Sequence, residues 1–440
     1  MEAMKRVIPR IRRLLLPRVV RGGMSLRFIL PTAWLLVPVA GLALLLWPGG
    51  CASTQRDDSL TRAGTVIRIK LLSNQTQLPI TAWQNPTCYT SLDPARKSLN
   101  LRPDSTYTIA LTAGGWKIGD SHLGEGTLVL CPSEPRAMAV NGKRYRGVYQ
   151  LVPTGGGRFD VVNHVEIDDY LKGVLRAELF AHWHENTYKA QAIAARTYAL
   201  YEHADAVTKG RHWDVHDDQQ SQMYGGVDAE TSKAVAAVRD TAGVVLVWGA
   251  EGRQAIFKAF YSSSCGGVSQ SVTHAGFDEP YIPPLGAHDN QGLCKASPKF
   301  NWGPIVVKKE ELTRRVQLWG KRLDRAEQAI GLIARVDVQQ TCLGRPVWFK
   351  ISTVGDKSYG LSGEHLRQAV NAGAPDGSRL FSSFVSVITD SDSIRFVDGH
   401  GFGHGVGMCQ WCAEARARAG LSAEDIVLAG YPGAKLAVAY

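Results

Sequence analysis

Glu178 stands at a boundary between two unlike surroundings. An apolar helical pattern leads up to it, and Leu179-Phe180-Ala181-His182-Trp183-His184 follows it. A carboxyl held between a helix end and an aromatic loop loses water, and lost water raises its pKa toward the range where it can donate a proton near neutrality. The competing reading, a solvated glutamate at a helix terminus, is the one these residues alone favour. The segment GHGFGHGVGMCQW, Gly399–Trp411, is the strangest in the chain, with five glycines and two histidines ahead of Gln410 and Trp411. Glycine packs nothing and loses much entropy on folding, so such a run suits close approach of backbone to a ligand or to another chain segment. His404 and Gln410 offer hydrogen bonds there, and Trp411 a stacking face for a sugar ring. A purely structural glycine turn is an equal alternative. A His400/His404 metal pair is a weaker one, because no third ligand stands nearby at metal spacing.

Six of the eight cysteines bear on this chemistry. Cys265 sits in SSSCGG, Ser262–Gly267, which is no GxSxG nucleophile elbow. Cys265 and Cys294 flank a loop that carries His274 and His288. A disulfide between them is the first expectation for an exported chain. A zinc site on Cys265 with Cys and His ligands is the alternative, and free thiols are the third. Cys88 and Cys131 are a candidate second bridge. Cys409 and Cys412 form a CxxC inside the glycine-rich segment, a spacing that elsewhere marks redox or metal chemistry. No GxGxxG opens a helix and no GxxxxGK[ST] occurs, so no nucleotide cofactor is expected.

These groups need elements to hold them. Alternating patterns at Val66–Leu71, Gly126–Leu130, Arg146–Val152 and Phe159–Val162, between Gly and Pro punctuation, predict strands and hairpins. From Val165 the period changes: Ile167, Leu171, Val174 and Leu175 fall at helical spacing. A second helix is predicted over 186–202 with Asn186 as N-cap, and a short one over 232–238. Strands are expected at 243–247, 255–260, 347–354 and 384–397. Helices are expected over 312–336, 413–419 and 423–429. Strands and helices mix without regular alternation, which predicts an α+β fold.

The net charge is +10 over 440 residues. Eight basic residues against Glu2 alone place +7 of it in Met1–Arg27, leaving +3 for the rest, so no nucleic-acid partner is implied. Phe28–Trp47 is uncharged and about 20 residues long, enough to span a bilayer core. Basic residues before it should stay inside, exporting everything after it. A secretory signal competes, and Gly49-Gly50-Cys51 loosely resembles a lipoprotein cleavage site. The expected organisation is 1–27 basic cytoplasmic segment, 28–47 membrane anchor or signal, 48–63 linker, 64–144 β-rich region and 145–440 main domain.

Three segments taken together resemble the SpoIID/LytB family of stage II sporulation protein D and the amidase enhancer: VVNHVEIDDYLKGVLRAE, KAQAIAARTYAL and GHGVGMCQW. Between them, AFYSSSCGG is similar to a family strand ending in Ser-Gly-Gly, with Cys265 for the serine, and DDQQSQMYGG to a stretch ending in Gln-x-Tyr-x-Gly. The likeness covers roughly 145–440. It implies a SpoIID-like mixed α/β domain acting on peptidoglycan outside the cell. It implies a lytic transglycosylase that cleaves between N-acetylmuramic acid and N-acetylglucosamine in peptide-stripped glycan, leaving 1,6-anhydro ends. The motif Tyr-Leu-x-Gly-Val-x-x-x-Glu places the family's catalytic acid/base at Glu178. Gln191, Arg196, Tyr198, Gln222, His404, Gln410 and Trp411 are candidates for binding or positioning. The enhancer branch implies a second reading, a non-catalytic glycan-binding module that stimulates a cell-wall amidase. Two departures stand out: Leu179-Phe180 where the family has Met-Pro, and Cys409-Gln410-Trp411-Cys412 where it has Ser-Gln-Trp-Gly.

Overall fold

The computed structural model describes residues 65–82, 85–92, 98–133 and 137–440. The expected anchor over 28–47, the segments 1–27 and 48–63, and Cys51 lie outside the described residues. Among the described residues no helix is long and apolar enough to cross a membrane.

Strands and helices are mixed, as the sequence predicts. The first large sheet has seven strands, in the order Val215–His216, Val66–Gln75, Arg158–Glu166, Val148–Gly155, Leu128–Cys131, Thr87–Thr90, Ser98–Asn100. Val66–Gln75 is an interior strand, antiparallel to Arg158–Glu166 and parallel to Val215–His216. A six-stranded sheet runs from Lys143–Arg146 to Ser121–Leu123 through Gln77–Ala82 and Ser105–Thr112. The two sheets share one core, where Trp116 meets Phe159 edge to face at 5.1 Å between ring centres. That core continues into the helices, so it crosses residue 144 without a break.

Eight α-helices are described: α1 Ile167–Glu178, α2 Glu185–Thr208, α3 Ser232–Asp240, α4 Val272–Ala275, α5 Lys309–Arg322, α6 Gly363–Asn371, α7 Gln410–Arg418 and α8 Ala423–Gly430. In α1, Ile167, Tyr170, Leu171, Val174 and Leu175 bury one face, and Asp168 and Asp169 occupy the first turn where acidic groups suit the helix dipole. The α2 cap is His184, not Asn186: the His184 ring accepts the Asn186 N–H, and the cap lies two residues earlier than the Asn186 pattern suggests.

Several expectations fail on length. The helix expected to end at 202 runs on to Thr208, and the strand expected over 384–397 is two paired strands, Ser386–Thr389 and Ser393–Val397. The helix expected over 312–336 stops at Arg322, Asp324 takes φ of 49°, and Ile333–Cys342 is a strand. The apolar stripe of α5 ends there, and Ile333, Val336 and Val338 serve a sheet instead. The stretch 255–260 pairs only at Ala255–Ile256, with Tyr261–Ser262 forming a separate short strand. A second core, including Leu312, Trp319, Phe349 and Phe396, gathers α5, α6 and two three-stranded sheets.

Candidate active site

Glu178 is the last residue of α1, and Leu179 leaves the helix in an extended conformation. The residue keeps partial exposure as a whole, but its carboxyl is closely surrounded by protein. Three donors converge on it. The Met223 N–H reaches Oε1 at 2.8 Å, the Tyr261 hydroxyl reaches Oε1 at 3.4 Å, and the Gln410 amide reaches Oε2 at 3.2 Å. Burial raises the Glu178 pKa above the ordinary carboxyl range, and the three donors offset part of that rise. Its place on the last turn of α1 puts it at the negative end of the helix dipole, which also disfavours the ionised form.

A buried relay stands behind the carboxyl. Tyr170 donates to Gln222 Oε1 at 3.0 Å, and Gln222 Nε2 donates to the Tyr261 oxygen at 3.0 Å and the Ala195 carbonyl at 3.3 Å. Gln222 thereby fixes Tyr261, leaving its proton for Glu178. Tyr261 is absent from the candidates read from the sequence. Its signal is the AFYSSSCGG strand end itself, which aims the hydroxyl at the carboxyl.

Beside Glu178 lies an aromatic shelf. Trp411 meets Trp183 at 5.0 Å edge to face and Phe180 at 5.9 Å, and Phe180 is 50% exposed. On the other side of Tyr261 and Met223 opens a cleft of about 800 Å³. Glu178 is not on its wall; Tyr261 and Met223, both bonded to Oε1, are. Tyr198 and His404 also line this cleft. Lys258 spans it between Glu202 at 2.6 Å and Glu279 at 3.6 Å.

The glycine-rich run approaches another segment of its own chain. Gly401, Gly403, Gly405 and Gly407 all take positive φ. Ser264 and Phe402 exchange backbone hydrogen bonds at 3.0 and 2.7 Å, and the Trp411 N–H reaches the Ser263 carbonyl at 3.1 Å. A Cβ on Gly407 would strike the Phe260 carbonyl. The run therefore lays Gln410 beside Glu178 by packing backbone on backbone. His404 locks this loop: its Nδ1 accepts the Val406 N–H at 3.1 Å and its Nε2 donates to the Tyr261 carbonyl at 2.9 Å. Burial pushes its pKa down to about 4. With both ring nitrogens engaged by backbone it has no atom left for a metal, so the His400/His404 metal pair is not formed.

The structure thus brings together Glu178, Gln222, Gln410 and Trp411. Arg196 is elsewhere. Fully buried, it bonds Asp168 at 2.9 Å, the Tyr440 hydroxyl at 3.0 Å, and the carbonyls of Val238 and Val244. Gln191 is fully buried on α2, and among the described residues neither of its amide atoms has a partner. It lies one turn from Thr187, which bonds Glu414 of α7, and one turn from Ala195, which receives Gln222.

The cysteines depart from the expected pairings. Thr87 stands opposite Cys131 and Cys88 opposite Leu130, so Cys88 and Cys131 point to opposite faces of their sheet and are not placed for a bridge. Cys265 and Cys294 are unbridged, with Sγ atoms 3.7 Å apart, and Cys409 and Cys412 join them. His274 and His288 are not in this group, and His288 bonds Ser269 at 2.9 Å.

Residues 155–248 match the family described as Stage II sporulation protein, SpoIID. A protein of Brachyspira hyodysenteriae is 26% identical over 67% of this chain and 72% of its own length. The amidase enhancer of Bacillus subtilis is 26% identical over 76% of this chain, which spans only 50% of that relative. Stage II sporulation protein D of Bacillus subtilis is 27% identical over 63% of this chain and 76% of its own length. The resemblance to the SpoIID/LytB family is borne out.

Proposed function

We propose that this SpoIID/LytB-type chain is a lytic transglycosylase that cuts peptidoglycan glycan between N-acetylmuramic acid and N-acetylglucosamine, with Glu178 as its acid and base. The observation that carries the reading is the set of three donors around a desolvated carboxyl. Oε1 accepts from both Met223 and Tyr261 and so has the carbonyl role. Oε2 accepts only from Gln410 and is the oxygen that carries the transferable proton. Burial keeps that proton on at higher pH, while the donors keep the carboxylate tolerable once the proton has gone. A group that must give a proton and then take one needs both.

The steps balance with one carboxyl. Glu178 gives its proton to the glycosidic oxygen as the bond to the muramic acid C1 breaks. The carboxylate then takes the proton of the same sugar's C6 hydroxyl as that oxygen closes on C1, which makes the 1,6-anhydro ring. A tethered nucleophile has a high effective concentration, and one placed proton carrier contributes on the order of 10²–10⁴ in rate. Phe180 and Trp411 offer a face for a sugar ring, and the adjoining cleft has room for its neighbours. Residues 28–47, read as a membrane anchor or an export signal, support a site that works outside the cell.

A second reading has its own support: a glycan-binding module that stimulates an amidase. The relative named amidase enhancer covers the larger share of this chain, and Leu179-Phe180 stands where the family has Met-Pro after its catalytic glutamate. One experiment separates the two. The purified chain is incubated with peptide-free glycan and the products are weighed by mass spectrometry. Anhydro-ended fragments from the wild type and none from Glu178→Gln support cleavage. Glycan that is bound but uncut sinks the enzymatic reading and supports the enhancer.

A further inference from the structure

The Sγ atoms of Cys265, Cys294, Cys409 and Cys412 all lie within 4.8 Å of one another. None of the four residues is more than 3% exposed. Two of the separations are 3.7 Å, Cys265 to Cys294, and 3.8 Å, Cys265 to Cys412. A disulfide would draw a pair to about 2 Å. One ion at the centre of a tetrahedron, with metal–sulfur bonds of about 2.3 Å, sets its sulfurs about 3.8 Å apart. We propose that Cys265, Cys294, Cys409 and Cys412 form a closed tetrathiolate site for a single Zn²⁺ ion, which pins the start of α7 and so holds Gln410 against Glu178.

The surroundings suit sulfur that carries negative charge. Cys409 Sγ accepts the Cys265 N–H at 3.3 Å and the Cys412 N–H at 3.4 Å, and Asn290 Nδ2 points at Cys265 Sγ from 3.6 Å. Cys409 is the N-cap of α7, so two sulfurs sit at the positive end of that helix. Four thiols that lose their protons to solvent and bind one dication leave a net charge of −2. Arg345 is placed to offset it. Its guanidinium is fully buried and donates to the carbonyls of Cys265 at 3.3 Å and Val268 at 2.9 Å. Among the described residues it makes no carboxylate ion pair, and its Nε has no partner. Glu364 lies within its field but is already paired with Arg367, and a buried cation without a partner of its own is costly unless another anion is near.

The choice of ion follows from size and donor type. Four thiolates in a tetrahedron fit zinc or iron–sulfur chemistry, and edges near 3.8 Å leave room for one atom and not for a cluster. Four thiolates fill the coordination of zinc, so the site is structural and holds no water. The ligands come from three places: Cys265 after the Tyr261 strand, Cys294 in the loop that follows, and Cys409 and Cys412 on either side of Gln410 and Trp411. The ion therefore joins the segment that carries Tyr261 to the segment that carries Gln410, two of the three groups bonded to Glu178.

The test reads metal, not activity, and so fails independently of the glycan reading. The full-length chain is purified without added metal, its metals are counted by inductively coupled plasma mass spectrometry, and its reactive thiols are mapped by alkylation without denaturant. The expected result is about one zinc per chain, with all four cysteines protected until a chelator is added. Cobalt in its place should give thiolate-to-metal absorption. Cys412→Ser should lose the metal, and Cys88→Ser should keep it. The wild-type measurement decides the matter even if Cys412→Ser does not fold. A metal-free chain, two disulfides among the four, or iron in place of zinc would each overturn the proposal.

Discussion

Gln410 donates its side-chain amide to Oε2 of Glu178 at 3.2 Å, across 232 positions of sequence. The bond joins the first residue of α7 to the last residue of α1. Neither helix makes the site alone, and the glycine-rich loop that delivers α7 matters as much as the carboxyl it serves.

Glu178→Gln should abolish anhydro-product formation, a loss of at least roughly 10²-fold, without lowering stability near neutrality. Burial raises the Glu178 pKa, so the folded chain holds this proton to higher pH than the unfolded chain does. Stability from such a group is complete below the unfolded carboxyl pKa and is lost as pH rises through the folded value. The variant should therefore melt at or above the wild-type temperature at neutral pH, and the gap should close in acid. A variant that melts well below wild type at pH 7 would contradict burial as the dominant influence.

Gln410→Leu should move the alkaline limb of the pH–rate profile upward. The Gln410 amide favours the ionised carboxyl, so its loss leaves burial less opposed and the Glu178 pKa higher still. A bond to a charged group is worth about 1.5–3 kcal/mol, so kcat/KM should drop by roughly tenfold or more. A limb that stays in place, or shifts to lower pH, would remove Gln410 from this role.

Arg196→Met should act on stability and not on substrate. Its guanidinium is spent on Asp168, Tyr440, the Thr241 hydroxyl and the carbonyls of Val238 and Val244, with none directed toward Glu178. A loss of about 3 kcal/mol is expected in chemical denaturation, with KM unchanged in the folded protein. A raised KM with unchanged stability would return Arg196 to the binding site.

His404 should make the fold sensitive to acid. Burial lowers its pKa to about 4 from 6.5, so the unfolded chain takes up the proton first as pH falls. The neutral ring's contribution is complete above pH 6.5 and is lost as pH falls toward 4, at most about 3 kcal/mol. His404→Gln should flatten the melting-temperature profile across that window while lowering it at pH 7. An unchanged slope would show that another group governs the acid transition.

Much of this site was legible before the structure. The α1 pattern located Glu178 correctly at a helix end, and the glycine run announced close backbone contact. The partner of that contact was not legible, because Ser262–Ser264 lies far away in sequence and nothing in either segment says that the two meet. Met223 was invisible for a different reason: it acts through its backbone N–H, and any residue type would donate as well. Reading cysteines by proximity paired Cys265 with Cys294 and left Cys409-x-x-Cys412 apart, since only the fold brings the two pairs together. The long helix expected over 312–336 failed because α5 and the strand at Ile333 bury the same kinds of residue.

The pairing of Val66–Gln75 with Arg158–Glu166 has a practical side. The segment matched by the family, 155–248, borrows one neighbour of its first strand from far upstream. A fragment cut to begin at residue 145 would bare a row of unpaired amides and carbonyls along Arg158–Glu166, together with the apolar face of Val161 and Val165. Such a fragment is a template for self-association. Expression trials aimed at the family-matched portion should start ahead of Val66.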